Sequence, residues 1–173
     1  MKAKNFDLEA LDRDYLFHPI TNLKSHITQD VLILERGEGI YIFDKDGKKY
    51  IDLISSWWVN IHGHCRKEIV QSISKQSEKL EQVLFADFTH SPAVNLAEKL
   101  ISILPSNLSR VFYSDNGSTA VEVALKMAFQ YWQNRGDQKR KRFLAFEGAY
   151  HGDTVGAMSA GDPGEFGEPF RPL

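Results

Sequence analysis

The segment Ser114–Glu122 constrains the fold most strongly, because it joins a β-prone run directly to an amphipathic helix. The β-prone run is Arg110 to Ser114, and the helix is predicted over Thr119 to Asn134, with a glycine stop at Gly136. A second β-prone run, Arg142 to Phe146, follows. Strand, helix and strand in this order predict a right-handed βαβ unit in a parallel sheet, and therefore an α/β fold.

The turn Asp115-Asn116-Gly117-Ser118 between that strand and helix has the composition of an anion site. Free N–H groups and the positive end of the helix dipole meet at a helix start. Gly117 lets an anion approach the backbone, and the Ser118 and Thr119 hydroxyls can donate further hydrogen bonds. Plain helix capping explains the same residue types, so that alternative stays open. The spacing fits neither a Walker loop nor the three-glycine dinucleotide fingerprint.

A second candidate site, Tyr150-His151, follows the predicted strand Arg142 to Phe146. Ligands of open parallel sheets bind beyond the carboxyl ends of the strands, so this pair and Gly117-Ser118 are expected at the same edge. An aromatic ring and an imidazole beside a phosphate site suit a flat heteroaromatic cofactor. The alternative is that both side chains are buried sheet-edge residues.

The first part of the chain predicts a small α+β arrangement. A helix is expected over Phe6 to Phe17, ending before Pro19. An antiparallel meander follows, with strands Val31 to Glu35, Ile40 to Phe43 and Lys49 to Leu53 and a hairpin turn at Asp46-Gly47. Two further helices are predicted over Glu68 to Val83 and Ser91 to Leu104, the second capped by Ser91. We place a domain boundary near residue 60, with 1–60 as a small domain and 61–173 as part of a larger one.

The adjacent tryptophans Trp57 and Trp58 cannot both face one core from a regular strand. At least one is therefore expected to line a cleft or an interface, although a role split between core and interface is an alternative. The nearby His62, His64 and Cys65 lack a second cluster with zinc-ligand spacing, so no metal site is expected.

Composition excludes several classes of protein. A net charge of −2 gives no general attraction to nucleic acid or anionic membranes. No apolar run approaches the roughly 20 residues of a membrane span, and the N-terminus lacks the apolar core of a secretory signal. The single cysteine, Cys65, fits a reducing compartment, so a cytoplasmic location is expected.

Taken together, these segments resemble the class III (ω-type) aminotransferases of the fold-type I pyridoxal-phosphate family. The likeness rests on Ser55-Ser56-Trp57-Trp58 with Ile61-His62-Gly63, Asp115-Asn116-Gly117-Ser118 leading into Val121 to Ala128, Gln130 to Gln133, and Tyr150-His151-Gly152-Asp153-Thr154 through Gly156 to Ser159. It runs from about His18 to Pro163. The tryptophan pair and the Tyr-His-Gly-Asp-Thr run narrow it to members that use S-adenosylmethionine and 8-amino-7-oxononanoate in biotin synthesis.

The resemblance implies a role for each candidate residue. Gly117 and Ser118 match the turn that holds the phosphate of pyridoxal 5'-phosphate. Tyr150 matches the aromatic residue beside the pyridine ring and substrate, with His151 next to it. Trp57 matches a substrate-pocket tryptophan, so Trp57, Trp58 and Tyr150 form the expected substrate-binding set. The family's homodimeric assembly is implied for the complete protein.

The sequence departs from the family pattern in three respects. Ile20 stands where relatives commonly place an aromatic residue of the substrate pocket, and His64-Cys65-Arg66-Lys67 replaces the usual His-Pro ending of its loop. The family's Schiff-base lysine lies downstream of the Tyr-His motif, and the turn-rich end 161–173 shows no closing helix or strand. We therefore expect an incomplete fold-type I domain, an N-terminal fragment that is inactive alone.

Two other hypotheses stay open. The complete protein is alternatively an ω-aminotransferase with a different amino donor, such as an ornithine or diamine enzyme. Under the second hypothesis, the chain is a non-catalytic module that binds a phosphate-bearing ligand or pairs with a separate C-terminal chain.

Overall fold

The computed structural model describes residues 7–162, 164–170 and 172, and it divides the chain into two compact units. The first unit covers residues 1–88 and the second covers 89–173. The domain boundary that we place near residue 60 stays a prediction. Among the described residues, no helix is long and apolar enough to cross a lipid bilayer.

The first unit begins with helix α1 (Leu8–Tyr15), which confirms a helix here but ends two residues before the predicted Phe17, because Leu16 adopts extended backbone. Phe6, the predicted start, lies outside the described residues. The Asp7 carboxylate caps α1 by accepting the N–H of Ala10 at 3.1 Å. Helix α2 (Leu23–His26) follows, capped by the side chain of Asn22. The salt bridge from Lys45 to Glu9 on α1 has an N–O distance of 2.6 Å and connects α1 to the turn after the second strand.

The predicted meander is confirmed as a three-stranded antiparallel sheet in the order β1-β2-β3. Its strands are β1 (Leu34–Glu38), β2 (Tyr41–Asp44) and β3 (Lys49–Ile51). The predicted bounds are corrected: β1 lies three residues later than predicted, β2 one residue later, and β3 ends at Ile51 rather than Leu53. In the register, Gly37 pairs with Ile42 and Ile42 pairs with Tyr50. Gly47 adopts a φ of 80° in the β2–β3 turn, which explains the Asp-Gly sequence there.

After the sheet come one left-handed turn, α3 (Ser55–Trp58), and helix α4 (Lys67–Ser77). The prediction that α4 continues to Val83 is wrong, because the described chain leaves the helix after Ser77 and is irregular around Val83. The Gln76 side chain donates to the carbonyl of Leu80 at 2.8 Å, beside a last backbone bond from the N–H of Leu80 to the carbonyl of Gln76 at 2.9 Å.

The second unit contains α5 (Ser91–Ile103), α6 (Gly117–Asn134), α7 (Val155–Ser159), α8 (Gly164–Gly167) and a 3₁₀ turn, Glu168–Phe170. The expectation that residues 161–173 carry no helix is thus wrong. The predicted Ser91 cap is also corrected: the N-cap is His90, whose Nδ1 accepts the N–H of Ala93 at 3.3 Å.

The β-prone runs Arg110 to Ser114 and Arg142 to Phe146 are not strands in the described structure, and this part of the βαβ prediction is wrong. A strand needs a neighbour that supplies ladder hydrogen bonds. The one described backbone hydrogen bond to either run is a local turn bond, from the N–H of Ala149 to the carbonyl of Phe146 at 3.2 Å. Leu144 and Phe146 are 99% and 87% exposed. Within the described part of the chain, only Ala93 and Ala157 are buried apolar residues, so the units leave much apolar surface uncovered.

Candidate cofactor and substrate site

The two candidate segments of the second unit meet at Ser118 and Thr154. Their hydroxyl oxygens lie 2.7 Å apart, and the Ser118 hydroxyl accepts the backbone N–H of Thr154 at 2.9 Å. Both contacts are partly buried and join residues 36 positions apart in sequence. The loop after Tyr150-His151 thus lies against the start of α6, but the predicted shared edge of a parallel sheet is absent from the described structure, and the cofactor-binding roles of Gly117, Ser118, Tyr150 and His151 stay predictions.

A second link between these segments runs through Glu122 on α6. Its Oε1 accepts the backbone N–H groups of Gly156 at 2.6 Å and Ala157 at 3.1 Å, at the start of α7. The Thr154 hydroxyl and the Ala157 and Gly156 N–H groups lower the pKa of Glu122 below its ordinary value, against the opposing effect of burial. The sequence does not reveal this role, because Glu122 with Lys126 four residues later looks like an ordinary helical ion pair.

The first turn of α6 combines a cap with an open backbone. The Asn116 side chain accepts the N–H of Thr119 at 2.9 Å, and the Thr119 hydroxyl oxygen accepts the N–H of Asn116 at 3.3 Å. This capping box leaves the N–H groups of Gly117 and Ser118 without an acceptor among the described residues. A Cβ at Gly117 would meet nothing within 4 Å, so the backbone there is accessible. Capping and anion binding are therefore compatible.

The Thr119 hydroxyl is used within the turn. It donates to Asp115 Oδ1 at 2.7 Å and lies 2.6 Å from the Ser114 hydroxyl. The bond from Thr119 also lowers the pKa of Asp115 below its ordinary value. The expectation that Thr119 donates to an anion is thus not met in this arrangement, while Ser118 remains next to the open backbone.

The loop with Tyr150 and His151 presents both side chains to solvent. Tyr150 is 73% exposed and its hydroxyl donates to Asp153 Oδ2 at 2.8 Å, an interaction that raises the pKa of Tyr150. Asp162 holds the base of the loop by accepting the N–H of Gly148 at 3.0 Å. The alternative that Tyr150 and His151 are buried is therefore wrong.

An open cavity of about 590 Å³ lies on another side of the contact between α6 and α7. Its walls include none of the four residues predicted to bind the cofactor, namely Gly117, Ser118, Tyr150 and His151. The lining residues are mostly apolar or small: Glu122, Leu125, Lys126, Phe129, Phe143, Ala145, Gly156, Ser159, Ala160 and Gly161.

In the first unit, Asp52 organises the turn that carries the tryptophans. Its carboxylate accepts the Ser56 hydroxyl at 2.8 Å, and Oδ2 lies 2.8 Å from Nε2 of His64. The backbone N–H and hydroxyl of Ser56 lower the pKa of Asp52 from 3.8 to about 2. Asp52 was not among the predicted site residues, because a lone aspartate after a strand carries no distinctive sequence signal.

Trp57 and Trp58 are 56% and 74% exposed, and their rings meet edge to face with centroids 6.5 Å apart. The expected conflict of a regular strand does not arise, because α3 is a left-handed turn with φ of 64° at Trp57 and 69° at Trp58. Ile20, which departs from the family pattern, is 71% exposed. The substrate-binding roles of Trp57, Trp58 and Tyr150 stay predictions.

Comparison with known proteins gives a consistent result. The family model of the class-III aminotransferases matches residues 23–172. The adenosylmethionine-8-amino-7-oxononanoate aminotransferase of Synechococcus elongatus is 55% identical over 159 residues, covering 92% of this chain and 37% of the relative. The enzyme of the same name from Geobacter sulfurreducens is 44% identical over 172 residues, covering 98% of this chain and 38% of the relative.

Solved structures agree with these relatives. The crystal structure of the Methanocaldococcus jannaschii adenosylmethionine-8-amino-7-oxononanoate aminotransferase matches with a TM-score of 0.91 and 45% identity, over 95% of this chain and 38% of that one. An ω-transaminase from Pseudomonas jessenii in complex with PMP matches with a TM-score of 0.84 and 34% identity, over 90% of this chain and 35% of that one. The chain thus spans under two fifths of the length of these proteins.

Proposed function

The chain belongs to the class-III aminotransferase family, and from this membership we propose that the whole protein transfers an amino group from S-adenosylmethionine to 8-amino-7-oxononanoate. The product would be 7,8-diaminononanoate, a precursor of biotin. The names of the relatives support this choice of reaction. The fold accords with it, because the matched solved structures are transaminases of fold-type I.

The observation that carries the proposal is the contact of Ser118 with Thr154 beside an open helix start. Unpaired N–H groups at Gly117 and Ser118 and the positive end of the 18-residue helix α6 suit a dianionic phosphate. The use of pyridoxal 5'-phosphate is general in this family, and the residues present fit the phosphate group of that cofactor. The Thr154 contacts hold the Ser118 side chain in place without occupying those N–H groups.

We assign separate tasks to the chain's own residues. Gly117 and Ser118 would bind the phosphate, and Tyr150 and His151 would hold the pyridine ring by aromatic contact. Trp57 and Trp58 supply apolar surface for the carbon chain of the substrate. When bound, pyridoxal phosphate supplies the electron sink that makes the amino transfer possible. These residues bind and orient the reactants; the proton-transfer steps require groups outside this set.

We also propose that the complete protein is a cytoplasmic homodimer. The free cysteine Cys65 supports a reducing compartment. The large exposed apolar side chains, such as Leu53 at 87% and Leu144 at 99%, support burial against further protein surface. Light scattering of the purified complete protein would measure its mass, and a monomer would contradict the dimer.

The test of function is an assay of the complete protein with 8-amino-7-oxononanoate and a panel of amino donors. We expect 7,8-diaminononanoate to form with S-adenosylmethionine, detected by mass spectrometry, and to depend on added pyridoxal phosphate after the cofactor is removed. Turnover with ornithine or a diamine but not with S-adenosylmethionine would instead identify another ω-aminotransferase. No turnover with any donor, together with phosphate-ligand binding, would identify a non-catalytic module.

A further inference from the structure

Asp12, His18 and His26 form a cluster in the first unit, among residues to which the proposed reaction assigns no role. His18 Nε2 lies 2.9 Å from Asp12 Oδ1, and His26 Nε2 lies 2.9 Å from Asp12 Oδ2. The two imidazole rings have centroids 4.4 Å apart. Each histidine therefore directs its own Nε2 atom at the Asp12 carboxylate.

The burial of this cluster is unusual for ionisable groups. Asp12 is 8% exposed, although it lies on the short helix α1, and the His26 side chain is 13% exposed. Buried carboxylates are usually paired or coordinate a metal. The His18 side chain is 34% exposed, so one side of the cluster is open to water.

The donor atoms also have the spacing of a metal site. One ligand atom from each of the three residues lies within 4.8 Å of the other two. Tetrahedral zinc with bonds of about 2.0–2.1 Å needs ligand atoms roughly 3.3 Å apart, so small side-chain shifts suffice. Two imidazoles and one carboxylate suit zinc, whereas Mg²⁺ and Ca²⁺ prefer six or more oxygen ligands.

We propose that Asp12, His18 and His26 bind a Zn²⁺ ion, with water in the fourth position. The ion connects α1, the loop before Pro19 and the end of α2, so it fastens residues 12–26 together. The sequence does not reveal the site, because its ligands are separated by five and seven residues, unlike the short paired spacings of zinc fingers. The competing explanation is a carboxylate that only accepts hydrogen bonds from two histidines.

The test uses the complete protein, stripped with a chelator and dialysed against Zn²⁺, with the bound metal measured by mass spectrometry. We compare the parent protein with His26→Gln, whose amide can still donate to Asp12. The matched control is His62→Gln, which changes an exposed histidine outside the cluster. A second variant, Asp12→Asn, keeps the shape of the carboxylate but weakens it as a ligand.

We expect one Zn²⁺ per chain in the parent and in His62→Gln, and at least a hundredfold weaker binding in His26→Gln, since loss of a mere outer-shell partner costs roughly 10- to 100-fold. Added Zn²⁺ should raise the melting temperature of the parent and of His62→Gln only. Equal Zn²⁺ uptake by the parent, His26→Gln and Asp12→Asn, or no uptake by the parent, would overturn the proposal. Either result leaves the aminotransferase assay unaffected as a separate test.

Discussion

Thr154 donates its backbone N–H to the hydroxyl oxygen of Ser118 across 2.9 Å, and so positions a side chain at the first turn of α6 from a loop 36 residues away. The geometry of the proposed phosphate site thus depends on two segments that are distant in sequence. Variants that test this site and the tryptophan turn are made in the complete protein.

Ser118→Ala should weaken binding of pyridoxal phosphate by roughly tenfold or more, because a hydrogen bond to a charged group contributes about 1.5–3 kcal/mol. The dissociation constant can be measured by fluorescence after the cofactor is removed. Ser102→Ala is the matched control, since the Ser102 hydroxyl bonds only to the Lys99 carbonyl of its own helix in the described structure. Unchanged affinity in Ser118→Ala would remove Ser118 from the phosphate site.

Gly152→Ala should destabilise the fold by about 3 kcal/mol, combining backbone strain with overpacking. Gly152 has a φ of 129°, and a Cβ there would lie 2.7 Å from the Cα of Ser118. Gly136→Ala is the control: its φ is 77°, but its Cβ would meet nothing within 4 Å, so only about 1 kcal/mol of strain is expected. Chemical denaturation measures the free energy of unfolding of both variants. Equal losses of stability would contradict a close approach of residue 152 to Ser118.

Glu122→Gln should lower the melting temperature at pH 7 by a few degrees, because the carboxylate that receives two N–H groups at the start of α7 loses its charge. The pKa of Glu122 is lowered in the folded protein, so the unfolded chain binds more protons in acid. The stabilisation is complete above the ordinary pKa of 4.5 and is lost as the pH falls through the folded pKa.

Melting curves of the parent and Glu122→Gln should therefore converge in acid. Glu98→Gln, an exposed carboxylate on α5, is the control and should change stability little at either pH. A gap between the parent and Glu122→Gln that stays constant down to pH 3 would contradict a role for the Glu122 charge.

Asp52→Asn should loosen the tryptophan turn at pH 7, because the carboxylate accepts from Ser56 and pairs with His64. The folded pKa of Asp52 is about 2 against an ordinary 3.8, so its contribution is complete above about pH 4 and is lost as the pH falls toward 2. Tryptophan fluorescence should report the change. Asp46→Asn, in an exposed turn, is the control; an unchanged spectrum in Asp52→Asn would show that Asp52 does not hold the turn.

Local signals in the sequence predicted those elements whose partners lie nearby in the chain. The Asp-Gly turn fixed the β2–β3 hairpin, and the glycine at 136 ended α6 with a φ of 77°. The strands predicted from Arg110 and from Arg142 are absent from the described structure, because a parallel strand depends on neighbours that are remote in sequence. Similarly, Gly117-Ser118 was visible as a turn, whereas the contacts of Glu122 with Gly156 and Ala157 are long-range and leave no local pattern.

The handedness of the tryptophan turn has a chemical consequence. Residues 55–58 all have positive φ, between 48° and 69°, a region that costs an L-residue roughly 1–2 kcal/mol. A mirror-image amino acid prefers that same region. D-serine introduced by peptide ligation at position 55 or 56 would therefore relieve the local strain, while the same D-residue within α6 would break the helix.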